Sequence, residues 1–373
     1  MLLGLSALRN AHLWFGYAAA RRRAVDNAEH ARDALEWLKI AASRSNNQGV
    51  SHSLHFARGW LPGYPETTGY IIPTLMLLAR RYGWEDADDL AASAWGWLCG
   101  IQQQDGSFHD LAGRPQVFDT GQILIGANYL CRTGNEHAGE VGERAARWLM
   151  GLQADDGSFV SHSYNQRPHA YYSRVGAALL ETGILLDCSD LREAGLANLE
   201  WTLRQQRADG WFAHMSFADH PPFSHTIVYT LEGLLAGFRL THDTRMRDAV
   251  VLCASVLRER IVAHGGLIRS QYREDFQAVD EEICVTGLCQ WAALCFRLAR
   301  LGGGEFLGEA ERSLEAAKYL QLRSPLAALH GALPGSSPLS GRYMRYALPN
   351  WGVKFFLDVL LEAKGGDDLP ALI

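Results

Sequence analysis

The sequence predicts an all-α protein, an (α/α)6 toroid in which about six helical hairpins close into a double ring. Three observations support this fold class. A short polar string recurs along the chain after successive helical segments, the helix after each string is apolar on nearly all sides, and no strand-like alternation of apolar and polar residues recurs. Each hairpin is therefore one repeat of the ring.

The repeated string is clearest in three places, QQQDGSF at 102–108, LQADDGSF at 152–159 and RQQRADGWF at 204–212. Weaker copies surround three further glycines, so the markers of the six hairpins are Gly49, Gly106, Gly157, Gly210, Gly266 and Gly331. Glycine readily adopts the left-handed conformation that terminates a helix. The first helix of each hairpin is therefore predicted to end at its marker glycine.

The second helices of the hairpins are predicted at 66–83, 119–134, 172–187, 224–241, 281–302 and 349–363. Because they are hydrophobic almost all round, they must be buried on every side, whereas the first helices carry a charged outer face. This difference predicts an inner ring and an outer ring. Closing the ring leaves no hydrophobic end unit, which an open solenoid would have to cap.

Composition excludes several classes of protein. Of 373 residues, 48% are hydrophobic and 20% are charged, which is typical of a globular chain with a large core. A net charge of −6 disfavours nucleic acid as a partner. The seven cysteines form no CxxC pair and are expected to be buried thiols in a reducing compartment. No apolar run is long enough for a transmembrane segment. We therefore expect a soluble, cytoplasmic protein.

Residues 1–28 are predicted to form an appended N-terminal helix, and 29–373 a single α/α-toroid domain. The helix is expected to pack on the body of the protein, and weak peripheral contact with a membrane is the alternative. Its expected apolar face precedes the basic run at 21–23 and consists of Leu3, Leu5, Leu8, His12, Phe15 and Ala19.

Tandem helix–QxxDGSF–helix units resemble the repeat of squalene cyclases and protein prenyltransferase subunits. These belong to the α/α-toroid superfamily, which also includes six-hairpin glycosidases, uronyl lyases and sugar epimerases. The segments at 59–74, 118–126 and 347–358 are similar to squalene-cyclase-like proteins associated with bacterial exopolysaccharide biosynthesis. This resemblance implies the toroid fold and a polysaccharide context, without specifying a reaction.

The sequence departs from the better-known branches of this superfamily at two motifs, a zinc site and a proton-donor run. No Cys lies near an acid and a His in a spacing suited to zinc, so neither a metal nor another cofactor is predicted. The run Asp86-Ala87-Asp88-Asp89 matches the proton-donor motif of class II terpene cyclases. It opens a first helix, however, where acids complement the helix dipole. The run is therefore interpreted as helix-end chemistry on the outer ring.

The inner helices all follow the same type of loop, so their N-termini are predicted to meet on one rim. This rim is the candidate site because its residues are unusually polar for the start of buried helices. The predicted catalytic residues are Glu66, Asp119, Tyr172, His225 and Glu282. The predicted substrate-binding residues are Tyr64, Tyr70, Gln122, His169, Arg174, Tyr229, Asn350, Trp351 and Lys354.

Two sets of residues offer different chemistry. Glu66 and Asp119 could form the acid/base pair of a glycosidase. Tyr172, His169, His225 and Arg174 suit a lyase or an epimerase, in which Arg174 would neutralise a substrate carboxylate. Both Arg174→Ala and Glu66→Gln are expected to weaken glycan binding while leaving the melting temperature nearly unchanged.

The sequence thus predicts a carbohydrate-active enzyme of bacterial polysaccharide metabolism that acts on an acidic or lipid-linked saccharide. The class would be hydrolase, lyase or epimerase. The alternatives are an isoprenoid cyclase-like enzyme, which the polar rim disfavours, and a noncatalytic glycan-binding protein.

Overall fold

The computed structural model describes residues 10–365. Thirteen α-helices lie in this range: α1 (Ala11–Ala18), α2 (Asn27–Arg44), α3 (Pro65–Tyr82), α4 (Glu85–Ile101), α5 (Val117–Arg132), α6 (Glu136–Leu152), α7 (Ser173–Leu185), α8 (Ser189–Arg204), α9 (Ser224–Thr241), α10 (Thr244–Ala263), α11 (Val285–Arg300), α12 (Leu307–Leu320) and α13 (Asn350–Lys364). Short 3-10 turns lie at Tyr164–Gln166, Ala170–Tyr172 and Gly304–Phe306.

The helices form two concentric rings. The odd-numbered helices from α3 to α13 are inner, each packs on the next, and α13 packs on both α11 and α3. The even-numbered helices from α2 to α12 cover them. Burial follows this division, because α5 is buried continuously from Val117 to Leu130 whereas α4 alternates buried and exposed positions. The predicted (α/α)6 toroid is confirmed.

Five short strands lie in the loops that lead into inner helices: β1 (Ser53–His55), β2 (Gly59–Trp60), β3 (Ile283–Cys284), β4 (Ser336–Ser337) and β5 (Ala347–Pro349). Strand β1 pairs antiparallel with both β2 and β5, and Leu54 lies opposite Leu348. The loop before α3 is thereby joined to the loop before α13, which ties the first hairpin to the last. Strand β3 also explains why α11 begins at Val285, later than predicted.

The repeated glutamine joins neighbouring hairpins. The amide of Gln206 donates to the carbonyl of Gly210 in its own turn and to the carbonyl of Ala249 in the next outer helix. Gln102 and Gln153 make the same pair of bonds. Gln321 repeats it from the last hairpin to the first, because its amide donates to Gly331 and His30. The repeat is therefore a ring-closing contact.

Gly266 closes the C-terminus of α10, where its amide donates to the carbonyl of Ile261, but the other five marker glycines lie beyond the helix ends, so the prediction is wrong for them. Helix α4 ends at Ile101, and Gly106 follows in the turn with φ of 94°. A Cβ at Gly106 would lie 2.3 Å from the carbonyl oxygen of Arg144 on the next outer helix. Positive φ and this close approach both require glycine. The fifth hairpin departs from the rule, since Phe276, with φ of 61°, occupies the corresponding turn.

The described part of the N-terminal segment is α1, which packs on the loop after α12. Gly16 contacts Leu326 and Leu329, and its carbonyl accepts a hydrogen bond from Ser324. The predicted apolar face is wrong in this part, because Phe15 is 75% exposed whereas Leu13 is buried. Its other members at 3, 5 and 8 lie outside the described residues. Between residues 10 and 365 no helix has the length and apolar character needed to cross a membrane.

Two inner helices touch through glycine. A Cβ at Gly126 of α5 would lie 2.4 Å from the carbonyl oxygen of Gly69 in α3. We expect Gly126→Ala to lower the free energy of unfolding by about 1–3 kcal/mol, because the backbones must separate. Gly96→Ala on the exposed face of α4 is the matched control and should be stabilising by about 1 kcal/mol. Urea midpoints test both, and equal shifts would contradict the close helix contact.

Candidate functional site

A cavity of about 320 Å³ opens at the end of the toroid where the inner helices begin. Eight aromatic side chains dominate its wall: Tyr64, Tyr70, Phe118, Tyr164, Phe217, Tyr229, Tyr343 and Trp351. The remaining lining residues are His52, Glu66, Thr67, Asn165, His225 and Met344. The predicted rim of inner-helix N-termini therefore contributes part of the wall of a cavity, and aromatic walls with a few polar groups are typical of small-molecule sites.

Glu66 is the carboxyl group of this wall. It lies in the first turn of α3, after Pro65, which fits that position because the first helical residue needs no N–H donor. The preceding turn is fixed by Thr68, whose hydroxyl donates to the carbonyl of Tyr64 at 2.7 Å and accepts from the amide of Val50 at 3.0 Å. Only 8% of Glu66 is exposed. The helix start thus presents an almost completely buried carboxyl group in the cavity wall.

Asp119 lies behind the wall and reaches the cavity through tyrosine. It is fully buried on α5, and its Oδ1 accepts a hydrogen bond of 2.6 Å from the hydroxyl of Tyr164. The Tyr164 hydroxyl is also 3.4 Å from the hydroxyl of Tyr64, two residues before Glu66. Two tyrosine hydroxyls of the cavity wall therefore connect the region of Glu66 to Asp119.

Both carboxyl groups hold protons unusually strongly. Burial, followed by the nearby charge of Asp119, raises the pKa of Glu66 from 4.5 to about 8. Burial raises the pKa of Asp119 from 3.8 to about 7, although the hydrogen bond from Tyr164 opposes the shift. Carboxyl groups with pKa values near neutrality are suited to general acid/base work.

The two histidines of the wall are neutral. Burial lowers the pKa of His52 from 6.5 to about 4 and that of His225 to about 3. The Nδ1 atom of His225 lies 2.7 Å from Oε1 of Gln290 on α11. With Glu66 protonated as well, the cavity wall carries little charge at neutral pH.

The two cations predicted to bind substrate lie outside this wall. Arg174 is fully buried, its Nη1 is 2.7 Å from Oε2 of Glu232, and its Nε donates to Oε1 of Gln122 at 2.9 Å. Lys354 is also fully buried and pairs with Asp358. The guanidinium of Arg174 stacks 4.5 Å from the ring centre of Tyr229, a wall residue. These charges therefore support the wall and are already neutralised by acids.

Four other predicted site residues make hydrogen bonds that hold the loops around the cavity. The Tyr172 hydroxyl accepts from the amide of Tyr164, and both ring nitrogens of His169 contact backbone carbonyls, one of them that of Tyr164. Asn350 donates to the carbonyl of Ser51 and to the hydroxyl of Thr67. Glu282 accepts from the amide of Arg342. The prediction that these side chains, with Gln122, Arg174 and Lys354, line one rim is corrected accordingly.

Six predicted residues do line the cavity: Glu66, His225, Tyr64, Tyr70, Tyr229 and Trp351. Sequence reasoning missed Tyr164, Phe217, Tyr343 and the role of His52, all of which come from connecting segments. Tyr164 lies in a turn where Asn165 and Gln166 both have positive φ. This strained backbone is not predicted by any motif in the sequence.

The Asp86-Ala87-Asp88-Asp89 run lies where the sequence predicted, at the start of outer helix α4 and away from the cavity lining. Asp86 pairs with Arg32 and Lys39 of α2, and the hydrogen bond from Arg32 contributes most to lowering its pKa to about 2. Asp88 is exposed. Within the described range no group of three or more His, Cys, Asp and Glu side chains is placed to hold a metal ion.

The sequence matches no protein family and no curated protein. Solved structures do share the fold. Unsaturated glucuronyl hydrolase from Bacillus sp. GL1, responsible for the degradation of glycosaminoglycan, is similar with a TM-score of 0.73 and 15% identity over 91% of this chain and 97% of its own. Cellobiose 2-epimerase from Bacillus thermoamylovorans gives 0.68 and 11% over 89% and 98%. D-Mannose isomerase gives 0.67 and 8% over 91% and 97%. The chain thus has the six-hairpin α/α-toroid fold.

Proposed function

We propose that the cavity binds a saccharide and acts on it by general acid/base chemistry, as a hydrolase, lyase or epimerase. One observation carries the proposal. Glu66 lies in an aromatic cavity whose wall also holds the hydroxyls of Tyr64 and Tyr164, and the Tyr164 hydroxyl donates to a second buried carboxyl group, Asp119. With a pKa of about 8, Glu66 holds a proton at neutral pH that it can donate to a leaving oxygen.

Of the two carboxyl groups, Glu66 and Asp119, the proton acceptor is Asp119, whose pKa is about 7. Because it does not touch the cavity, it acts through Tyr164 and is a positioning residue: it orients the Tyr164 hydroxyl and can accept its proton. The aromatic rings supply flat faces on which the apolar side of a sugar ring can stack. In this proposal Glu66 is the catalytic proton donor.

The substrate class is supported by the structural neighbours, which are named for unsaturated glucuronyl, cellobiose and mannose chemistry. The finer parts of the proposal come from the sequence. They are an acidic or lipid-linked saccharide, a role in exopolysaccharide biosynthesis, weak membrane contact through the N-terminal segment, and a cytoplasmic location. An isoprenoid substrate is the second candidate, because eight aromatic rings line the cavity.

The test is incubation of the protein with unsaturated glucuronyl oligosaccharides, acidic exopolysaccharide, cellobiose and mannose. New reducing ends indicate hydrolysis, a change in unsaturated-uronate absorbance indicates elimination or consumption of the unsaturated sugar, and solvent deuterium at carbon without cleavage indicates epimerisation. Turnover of any saccharide that Glu66→Gln abolishes supports the proposal. Conversion of an isoprenoid diphosphate, with no saccharide bound or changed, overturns it.

Asp119 and Asp88 should respond differently to the same substitution. Asp119→Asn keeps an acceptor for Tyr164 but removes the carboxylate, so turnover should fall at least tenfold while the fold is retained. Asp88→Asn on the exposed face of α4 should leave turnover unchanged and alter stability by at most about 0.5 kcal/mol. Steady-state rates and thermal melts check both variants. Inactivity of Asp88→Asn alone would instead assign function to the Asp-x-Asp-Asp run.

A further inference from the structure

A buried chain of hydrogen bonds runs from the cavity wall into the inner ring. Nδ1 of His225 lies 2.7 Å from Oε1 of Gln290, Nε2 of Gln290 lies 3.4 Å from Oε2 of Glu232, and the same Oε2 lies 2.7 Å from Nη1 of Arg174. The last three side chains are at most 1% exposed. Water therefore competes little for these bonds.

The direction of each bond follows from the residue at the far end. Arg174 can only donate, because a guanidinium stays protonated and has no acceptor. It holds Glu232 as an acceptor, and a carboxylate that accepts from Arg174 repels the carbonyl end of an amide. Gln290 must therefore turn its NH2 group to Glu232 and its Oε1 to His225. An oxygen at that position can only accept, so Nδ1 of His225 carries the ring proton.

We propose that Glu232 and Gln290 are positioning residues that fix His225 as the Nδ1–H tautomer and leave its Nε2 lone pair for a substrate hydroxyl in the cavity. His225 lines the cavity, and among residues 10–365 its Nε2 has no hydrogen-bond partner. The ring is held by contacts with Tyr229 and Tyr343, at 4.3 and 5.3 Å between ring centres. A substrate hydroxyl is then the donor that Nε2 lacks.

The binding of a substrate hydroxyl to Nε2 of His225 rests on the proposed function. The assignment of the ring proton to Nδ1 does not, because it follows from the hydrogen bonds within the protein. Neutral imidazole in water favours the proton on the other nitrogen, so the assignment differs from what an unrestrained ring would show. A Glu232→Gln side chain can donate as well as accept, so Gln290 becomes free to turn over and present its NH2 group to His225. The ring proton should then move to Nε2.

The experiment is a long-range ¹H–¹⁵N correlation spectrum of the full chain labelled at histidine, recorded at pH 7 without ligand. The His225→Asn spectrum identifies the signals of this ring by their loss. The wild type should show protonated Nδ1 and unprotonated Nε2, and Glu232→Gln should shift the ring wholly or partly to Nε2–H. Glu181→Gln is the matched control, because it also removes a buried acid paired with arginine, Arg132, away from the chain.

A wild-type ring protonated at Nε2 overturns the proposal whatever the variants do. If Glu232→Gln fails to fold, Gln290→Met removes the acceptor directly and should also release the tautomer; an unchanged Nδ1–H ring in a folded Gln290→Met protein overturns the role of the chain. A wild-type ring with Nδ1–H in a protein that binds no saccharide would overturn the proposed function and leave the tautomer assignment standing.

Discussion

Replacing Glu66 with Gln should reduce turnover of the saccharide by about 10²- to 10⁴-fold, which is the usual contribution of a positioned general acid. The amide fills nearly the same volume in the cavity, but its N–H groups are far too weakly acidic to transfer a proton to a leaving oxygen. The weakened binding expected from the sequence is replaced by binding that persists, because the aromatic wall is unchanged. The expected kinetic signature is a fall in kcat with little change in KM. Glu143→Gln on the exposed face of α6 is the matched control and should behave as wild type.

The same variant has a signature that needs no substrate. The pKa of Glu66 is raised from 4.5 to about 8 in the folded chain, so the folded protein loses stability relative to the unfolded chain as the pH rises between these values. The glutamine side chain of the variant does not titrate. The Tm difference, variant minus wild type, should therefore increase from about pH 5 to about pH 8.5 in Glu66→Gln. A difference that does not change over this pH range would mean that Glu66 is ionised at neutral pH and cannot be the acid.

The ring architecture was predictable because the repeated glutamine makes the same pair of contacts in four of the six hairpins. Gln206 and Gly210 can be recognised in sequence since their contacts are local to the turn, and their partner on the next outer helix occurs at a regular interval. The inner helices were predictable for a similar reason, since burial on all sides requires apolar residues all round. Each of these patterns is weak evidence in one hairpin, but its recurrence in several hairpins makes the fold recognisable.

The candidate site was predictable only in part, because its walls mix helix starts with loops. Glu66, His225 and Tyr229 occupy helix positions that the repeat defines. Tyr164 reaches the cavity from a 3-10 turn in which Asn165 and Gln166 have positive φ, and the repeated string does not mark this turn in the sequence. The contact of its hydroxyl with Asp119 joins two hairpins and depends on side-chain geometry.

Arg174 shows the main limit of reading a site from residue types. An arginine at the start of an inner helix suggested a ligand for a substrate carboxylate, but a charge at that position can also be neutralised from within the ring. Glu232, one hairpin later, does so. The sequence contains both residues, yet only the fold brings them within 2.7 Å. The prediction that Arg174→Ala leaves stability unchanged is accordingly replaced.

Arg174→Ala should lower the free energy of unfolding by about 3–5 kcal/mol, because it leaves the buried carboxylate of Glu232 without its cation. The substitution also removes the stacking of the guanidinium on Tyr229 and the hydrogen bond to Gln122. Urea unfolding followed by circular dichroism measures the loss. Arg147→Ala is the control, because its ion pair with Glu143 is exposed and should contribute at most about 1 kcal/mol.

A second variant separates the buried charge from the lost volume. Arg174→Met combined with Glu232→Leu removes both charges and keeps apolar bulk, so it should be more stable than Arg174→Ala. Recovery in the double variant would identify the unpaired carboxylate as the main cause of the loss. If Arg174→Ala instead unfolds at the wild-type midpoint, Glu232 does not need this cation, and Arg174 is free to meet a carboxylate of the substrate, as the sequence alone suggested.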